Sequence, residues 1–184
     1  MKELSLNLLD ITENSTKALA DLVKIALLET EETLTVRIED NGIGMTEETR
    51  LSVIDPFYTT RTTRRVGMGI PLFKLAAVQT GGDLTVESRH KDEFPNDHGT
   101  VITAVFYKNH IDFTPLGDVI STLVTLIQGH PAVDFVFTHE RCGNETVTLD
   151  TREIREVLED VPIDSFEILL WIRENLTEQY NLSV

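Results

Sequence analysis

The sequence predicts an α+β fold, and three observations carry that expectation. In residues 3–19, Leu4, Leu8, Ile11, Ala18 and Leu19 fall on one stripe at helical spacing. Residues 33–39 alternate, with Leu34, Val36 and Ile38 on one face and Thr35, Arg37 and Glu39 on the other, the pattern of a half-buried strand. Residues 100–107 (TVITAVFY) are almost continuously apolar, as in a central strand.

The remaining elements follow in order. Residues 22–29 (LVKIALLE) read as a strand, although the pattern alone also allows a helix. Thr46-Glu47-Glu48 opens a short helix with a capping Thr and an acidic first turn, ending before Asp55-Pro56. Residues 58–68 are polar and basic without apolar periodicity and read as a mobile loop. A helix from about Ile70 to Thr80 has Pro71 early and Gly81-Gly82 at its end. Residues 83–89 alternate as a strand, and His90–His98 is a polar loop. Near Asn109 a second part begins. Thr114-Pro115 is expected to start a helix with a Leu116/Ile120/Leu123/Ile127 stripe, stopped by Gly129 and Pro131. Strands at about 133–139 and 145–149 follow, joined by Arg141-Cys142-Gly143-Asn144. Two helices close the chain, at about 152–161, striped by Ile154, Val157, Leu158 and Val161, and at 165–180.

Bulk properties narrow the function. The 184 residues make one large domain or a domain with an extension, and a hydrophobic share of 41% supports a packed core. No apolar run approaches ~18 residues, and the N-terminus is not signal-like, so no membrane association is expected. The single Cys142 leaves no partner for an intramolecular disulfide, fits a reducing, cytoplasmic setting and reads as a plain structural thiol. Net charge is −15: residues 1–108 hold 12 Lys and Arg against 17 Asp and Glu, residues 109–184 only 4 against 14. Such a chain is repelled by nucleic-acid backbones.

Four local features point to a ligand. Asp40-Asn41-Gly42-Ile43-Gly44-Met45 contains Asn-Gly, a hairpin signal, yet a helix cap follows it rather than a second strand. A strand, glycine-rich turn and helix let backbone approach a ligand closely, though a purely structural turn has the same pattern. Asp10 and Asn14, four apart, share a helix face where an acid and an amide could hold a water and a magnesium ion; a solvated face would carry the same pair. Phe57-Tyr58-Thr59-Thr60-Arg61 leads through Arg64-Arg65 to Gly67-Met68-Gly69-Ile70, a basic loop feeding a helix start, where free N–H groups and arginines suit phosphates. Gly99-Thr100 opens the most apolar strand, and its hydroxyl could complete a polar contact under a base.

In this order the stretches resemble the motif set of the histidine-kinase-like (GHKL) ATPase superfamily, over about residues 1–108. Asp10-x-x-x-Asn14 is similar to its N box, Asp40-x-Gly42-x-Gly44 to its first glycine box, Phe57 to the motif before the ATP lid, Gly67-x-Gly69 to the second glycine box, and Gly99-Thr100 to its last Gly-Thr strand. The resemblance implies a two-layer mixed sheet with helices on one face, and ATP and magnesium as cofactors. It implies that Asn14 coordinates magnesium, Asp40 accepts a hydrogen bond from the adenine amino group, and Gly42 and Gly44 let the backbone pass base and ribose, with Met45 beside them. It makes residues 58–68 a lid hinged at Gly67 and Gly69, with Thr59, Thr60, Arg61, Arg64, Arg65, Met68 and Ile70 around the nucleotide. Thr100 supports the adenine contact. Asp10 stands where several relatives carry a Glu that orients the attacking water, one methylene shorter, which implies slow hydrolysis or a differently placed water.

The chain begins on the N-box helix, and none of His90, His98, His110, His130 and His139 lies in a dimerisation helix pair, which argues against autophosphorylation on His. All five read as surface or loop residues. The expectation is a cytoplasmic ATP-binding domain at 1–108 with an acidic αββαα extension at 109–184 that contacts a protein partner, switched by lid closure and slow hydrolysis. The alternatives are a stand-alone serine protein kinase of the anti-sigma-factor type and a non-catalytic nucleotide sensor.

Overall fold

The computed structural model describes residues 3–54, 69–158 and 160–181. Its elements are α1 (Leu4–Lys17), β1 (Leu22–Glu29), β2 (Thr33–Asp40), α2 (Glu47–Ile54), α3 (Gly69–Gln79), β3 (Asp83–Arg89), β4 (Gly99–Tyr107), α4 (Val119–Gly129), β5 (Asp134–Glu140), β6 (Val147–Asp150), α5 (Thr151–Leu158) and α6 (Phe166–Asn181). The expected loop at 58–68 lies outside the described residues.

The strands form one sheet in the order β3-β4-β2-β1-β5-β6. Only β1 and β5 run parallel. Register aligns the apolar residues of every strand into rows. One row runs Val86–Ile102–Ile38–Ile25–Phe137–Leu149 across all six strands. Each of these residues is at most 5% exposed. Burial of that row, with the rest of the core, stabilises the fold at roughly 25 cal/mol per Å² of apolar surface. Leu8 and Ile11 of α1, Phe73 of α3, Leu123 and Leu126 of α4, and Ile172 and Leu176 of α6 belong to the same core. The opposite sheet face is polar, with Lys24 and Arg37 both paired to Glu39 at 2.9 and 2.8 Å. The two-layer mixed sheet expected from the sequence is therefore the observed architecture, and the strands of residues 109–184 continue it through β5.

Five local readings need correction. Thr114-Pro115 does not start a helix. The Pro115 and Leu116 carbonyls accept from the N–H groups of Leu4 and Ser5, which begin α1, so this segment stays extended. α4 starts four residues later than expected, at Val119, where the Asp118 carboxylate accepts from the Ser121 N–H at 2.8 Å. Leu116 thus precedes the helix it was to stripe. The stripe assigned to α5 holds only in part: Ile154 and Leu158 pack against the core, but Val157 is 82% exposed, and Val161, 51% exposed, lies past the end of the helix. α5 is also held by its polar side, with buried Thr151 donating to Asp134 and Arg155 reaching Asp134 at 2.8 Å. His139 is no surface residue, at 2% exposure inside β5. Cys142 is exposed in the β5–β6 turn rather than packed as a small hydrophobe.

Candidate functional site

The site grows from the polar ends of three apolar rows. Beyond Val86, Ile102 and Ile38, the next inward-facing residues are Ser88, Thr100 and Asp40, aligned by the ladders Ser88↔Thr100 and Thr100↔Asp40. The Ser88 and Thr100 hydroxyls lie 2.9 Å apart. Asp40 Oδ2 accepts from the Ser15 hydroxyl of α1 at 2.7 Å, and Oδ1 accepts from the Gly42 N–H at 2.9 Å. Burial pushes the Asp40 carboxyl above the usual range, and bonds from Ser15, Gly42 and the Thr100 backbone pull it back only in part.

The glycine-rich turn leaves β2 and runs between α1 and the end of β3. The Ile43 N–H donates to the Ala18 carbonyl at 2.8 Å, and a side chain on Gly42 would meet that same carbonyl at 2.7 Å. Gly44 has φ +67°, and a Cβ there would overlap the Arg89 carbonyl, so only glycine fits. The Met45 N–H donates to Ser88 Oγ at 2.8 Å, and Ile43 O accepts from the Lys91 N–H at 2.9 Å. His98 Nδ1 lies 2.6 Å from the Gly42 carbonyl. Leaving Ala18, the chain turns back through Leu19 at φ +61°, a left-handed conformation rare outside glycine.

These pieces enclose a cavity of about 150 Å³. Ile11, Met45, Val53, Ile70 and Ile102 make its apolar walls, and Asn14, Ser15, Asp40 and Thr100 are its polar groups. On one side the cavity meets Gly69, the first residue of α3. A Cβ at Gly69 would lie 3.3 Å from Asp10 Cβ and 3.8 Å from Asn14 Nδ2. The N-terminal end of α3 thus abuts the Asp10/Asn14 face, and a helix start presents the positive end of its dipole, which suits an anion. Among the described residues no group of three or more His, Cys, Asp or Glu could hold a metal ion.

Of the residues singled out from the sequence, Asn14, Asp40, Gly44, Met45, Ile70 and Thr100 line this cavity, Gly42 packs behind it, and Asp10 and Gly69 stand at its edge. Asp10 is exposed. Phe57, Thr59, Thr60, Arg61, Arg64, Arg65, Gly67 and Met68 lie outside the described residues. Sequence reasoning passed over Ser15 and Ser88. Ser88 carried a signal, because it continues the inward alternation of Leu84 and Val86. Ser15 carried a weaker one as the neighbour of Asn14. The contact of His98 with Gly42 carried none, since it depends on how a polar loop folds back.

Solved structures share the fold. The N-terminal domain of a DNA repair protein matches with a TM-score of 0.55 at 15% identity, covering 89% of this chain and 59% of that one. The MutL ATPase domain of Aquifex aeolicus, complexed with ADP, matches with a TM-score of 0.55 at 16% identity, covering 86% and 70%. No curated protein sequence matches the chain. Residues 1–110 match the family described as histidine kinase-, DNA gyrase B-, and HSP90-like ATPase, and the chain belongs to that family.

Proposed function

We propose that the cavity binds the adenine of ATP in a magnesium-dependent manner, and that the nucleotide state switches a protein contact made by residues 109–184. The observation that carries this reading is the convergence of Asp40, Thr100 and Ser88 at the ends of three apolar rows, under a turn where only glycine fits at position 44. A flat apolar base suits the walls, and its amino group suits an Asp40 carboxylate, which has about four acceptor sites and uses them for Ser15, Gly42 and the Thr100 backbone only. The phosphates would run toward the start of α3, past Asn14. Magnesium keeps waters and is held largely by phosphates, and the Asn14 amide oxygen on the cavity wall would be one donor. When bound, the ion would neutralise charge on the phosphate oxygens. Asp10, exposed beside Gly69, would orient a water toward them. Residues 58–68 would cover the phosphates as a lid. A lone exposed cysteine suits a reducing, cytoplasmic setting.

Calorimetric titration with ATP and magnesium tests the binding step, and absence of binding sinks the proposal. Phosphate release, compared between wild type and Asp10→Ala, tests turnover. Unchanged turnover removes Asp10 as the water-orienting group, and binding without any turnover favours a nucleotide sensor. Transfer of the phosphate to a Ser of a bound protein favours the kinase reading.

A further inference from the structure

A second cavity, of about 840 Å³, lies far larger than the first between α5, α6 and the β5–β6 edge. Its apolar walls are Ile154, Val157 and Leu158 of α5 and Ile168 and Trp171 of α6. Val157 is 82% and Trp171 50% exposed. Apolar surface this concentrated and open is the mark of a docking groove.

The surroundings say what fits. A β-strand cannot add at β6, because the Gln179 side chain already occupies that edge. Its Oε1 accepts from the Thr148 N–H at 2.8 Å, and its Nε2 donates to the Thr148 carbonyl at 3.0 Å. A helix needs no such edge, and an apolar stripe on a helix matches a groove walled by two helices. The rims are acidic. On α5, Glu153 and Glu156 flank Val157, and on α6, Glu167, Glu174 and Glu178 stand at i−4, i+3 and i+7 from Trp171. Among the described residues none of these five makes an ion pair, while the nearby Arg152 and Arg155 are engaged by Asp150 and Asp134. A glutamate-rich rim, offset only in part by Arg152 beside Glu153 and Arg173 beside Glu174, repels a second copy of this chain, whose net charge is −15, and an anionic lipid surface alike.

We propose that the α5/α6 groove docks an amphipathic helix of a partner protein, with apolar anchors against Val157 and Trp171 and Lys or Arg side chains against the glutamate rims. This rests on the reading of residues 109–184 as the partner-contacting part, and not on the nucleotide site, so the titration with ATP and the test below fail independently.

Trp171 is the single tryptophan of the chain and reports on the groove. Two synthetic helical peptides share one Leu/Ile stripe and differ in carrying Lys and Arg, or Glu, on both flanks. The cationic peptide is expected to shift Trp171 emission to the blue in a saturable manner, with affinity falling as salt rises. Val157→Glu, at an exposed position that leaves the fold intact, is expected to weaken binding at least about tenfold. Glu153→Lys combined with Glu174→Lys is expected to reverse the preference toward the acidic peptide. The proposal is overturned if neither peptide shifts the emission, or if both bind wild type equally. It is also overturned if the emission shifts with protein concentration alone or on phosphatidylglycerol vesicles.

Discussion

Replacing Asp40 by Asn separates recognition of a base from stability of the fold. The carboxylate now accepts from Gly42 N–H at 2.9 Å and from the Ser15 hydroxyl at 2.7 Å. An Asn side chain can keep both contacts. Its oxygen faces the fixed Gly42 N–H, and its NH2 donates to Ser15, whose hydroxyl rotates to accept. The substitution also removes a charge that burial disfavours. Stability should therefore change by less than about 1 kcal/mol. The cavity side of the group changes more, because an NH2 donor now confronts the adenine amino donor. Losing a hydrogen bond to a charged acceptor costs about 1.5–3 kcal/mol, roughly 10- to 150-fold in Kd for ATP. Inosine triphosphate carries a carbonyl in place of that amino group, so the variant should prefer it while wild type prefers ATP. Calorimetric titration of both proteins with both nucleotides, alongside urea melts, measures the four affinities. An unchanged ATP affinity, or equal loss for both nucleotides, refutes the assignment of Asp40.

Three further outcomes are expected. Gly44→Ala should destabilise the fold by roughly 2 kcal/mol or more in urea melts, because its φ of +67° and the overlap with the Arg89 carbonyl leave a Cβ no room. Leu19→Gly should stabilise by roughly 0.5–1 kcal/mol in the same assay, since Leu19 is 76% exposed and held at φ +61°. His139 is held below its ordinary 6.5 by burial and by Arg141, against the opposing pull of Glu29, and its Nδ1 lies 2.9 Å from the Tyr180 hydroxyl. The unfolded chain then binds a proton that the folded chain resists, so stability should fall as pH drops below about 6.5. Thermal melts across that range should show a smaller slope for His139→Gln.

Strand and helix positions were legible wherever one face of an element is apolar. The alternation at 33–39 and 83–89 needed nothing beyond the chain itself, and β2 and β3 stand there. The errors share one cause. Thr114-Pro115 has the local chemistry of a helix start, but distant Leu4 and Ser5 claim the carbonyls after it. Val157 and Val161 have the local pattern of a core stripe, but α5, anchored through Arg155 and Thr151, turns only Ile154 and Leu158 to the core and ends before Val161. His139 looks polar in isolation, yet register sets it between Leu27 and Val147 in a buried row. In each case a long-range contact outweighed a local preference of about 1 kcal/mol or less.

The cavity shows the same division more sharply. Asp40, Ser88 and Thr100 each end an apolar series in the sequence, and each could equally end it in solvent. What brings them side by side is the pairing of β2 with β4 and β4 with β3, which no single strand encodes. The glycine turn is different, because its need for a positive φ at Gly44 is local and remains visible as Asn-Gly-x-Gly. A sequence therefore displays the close backbone approach before it displays the polar groups that approach serves. Knowing the glycine turn, one can ask which inward rows end in a polar residue at the same level of the sheet. Ser88 answers that question on alternation alone, one residue beyond Leu84 and Val86 in the same row. Ser15 does not, since its bond to Asp40 depends on how α1 is seated on the sheet.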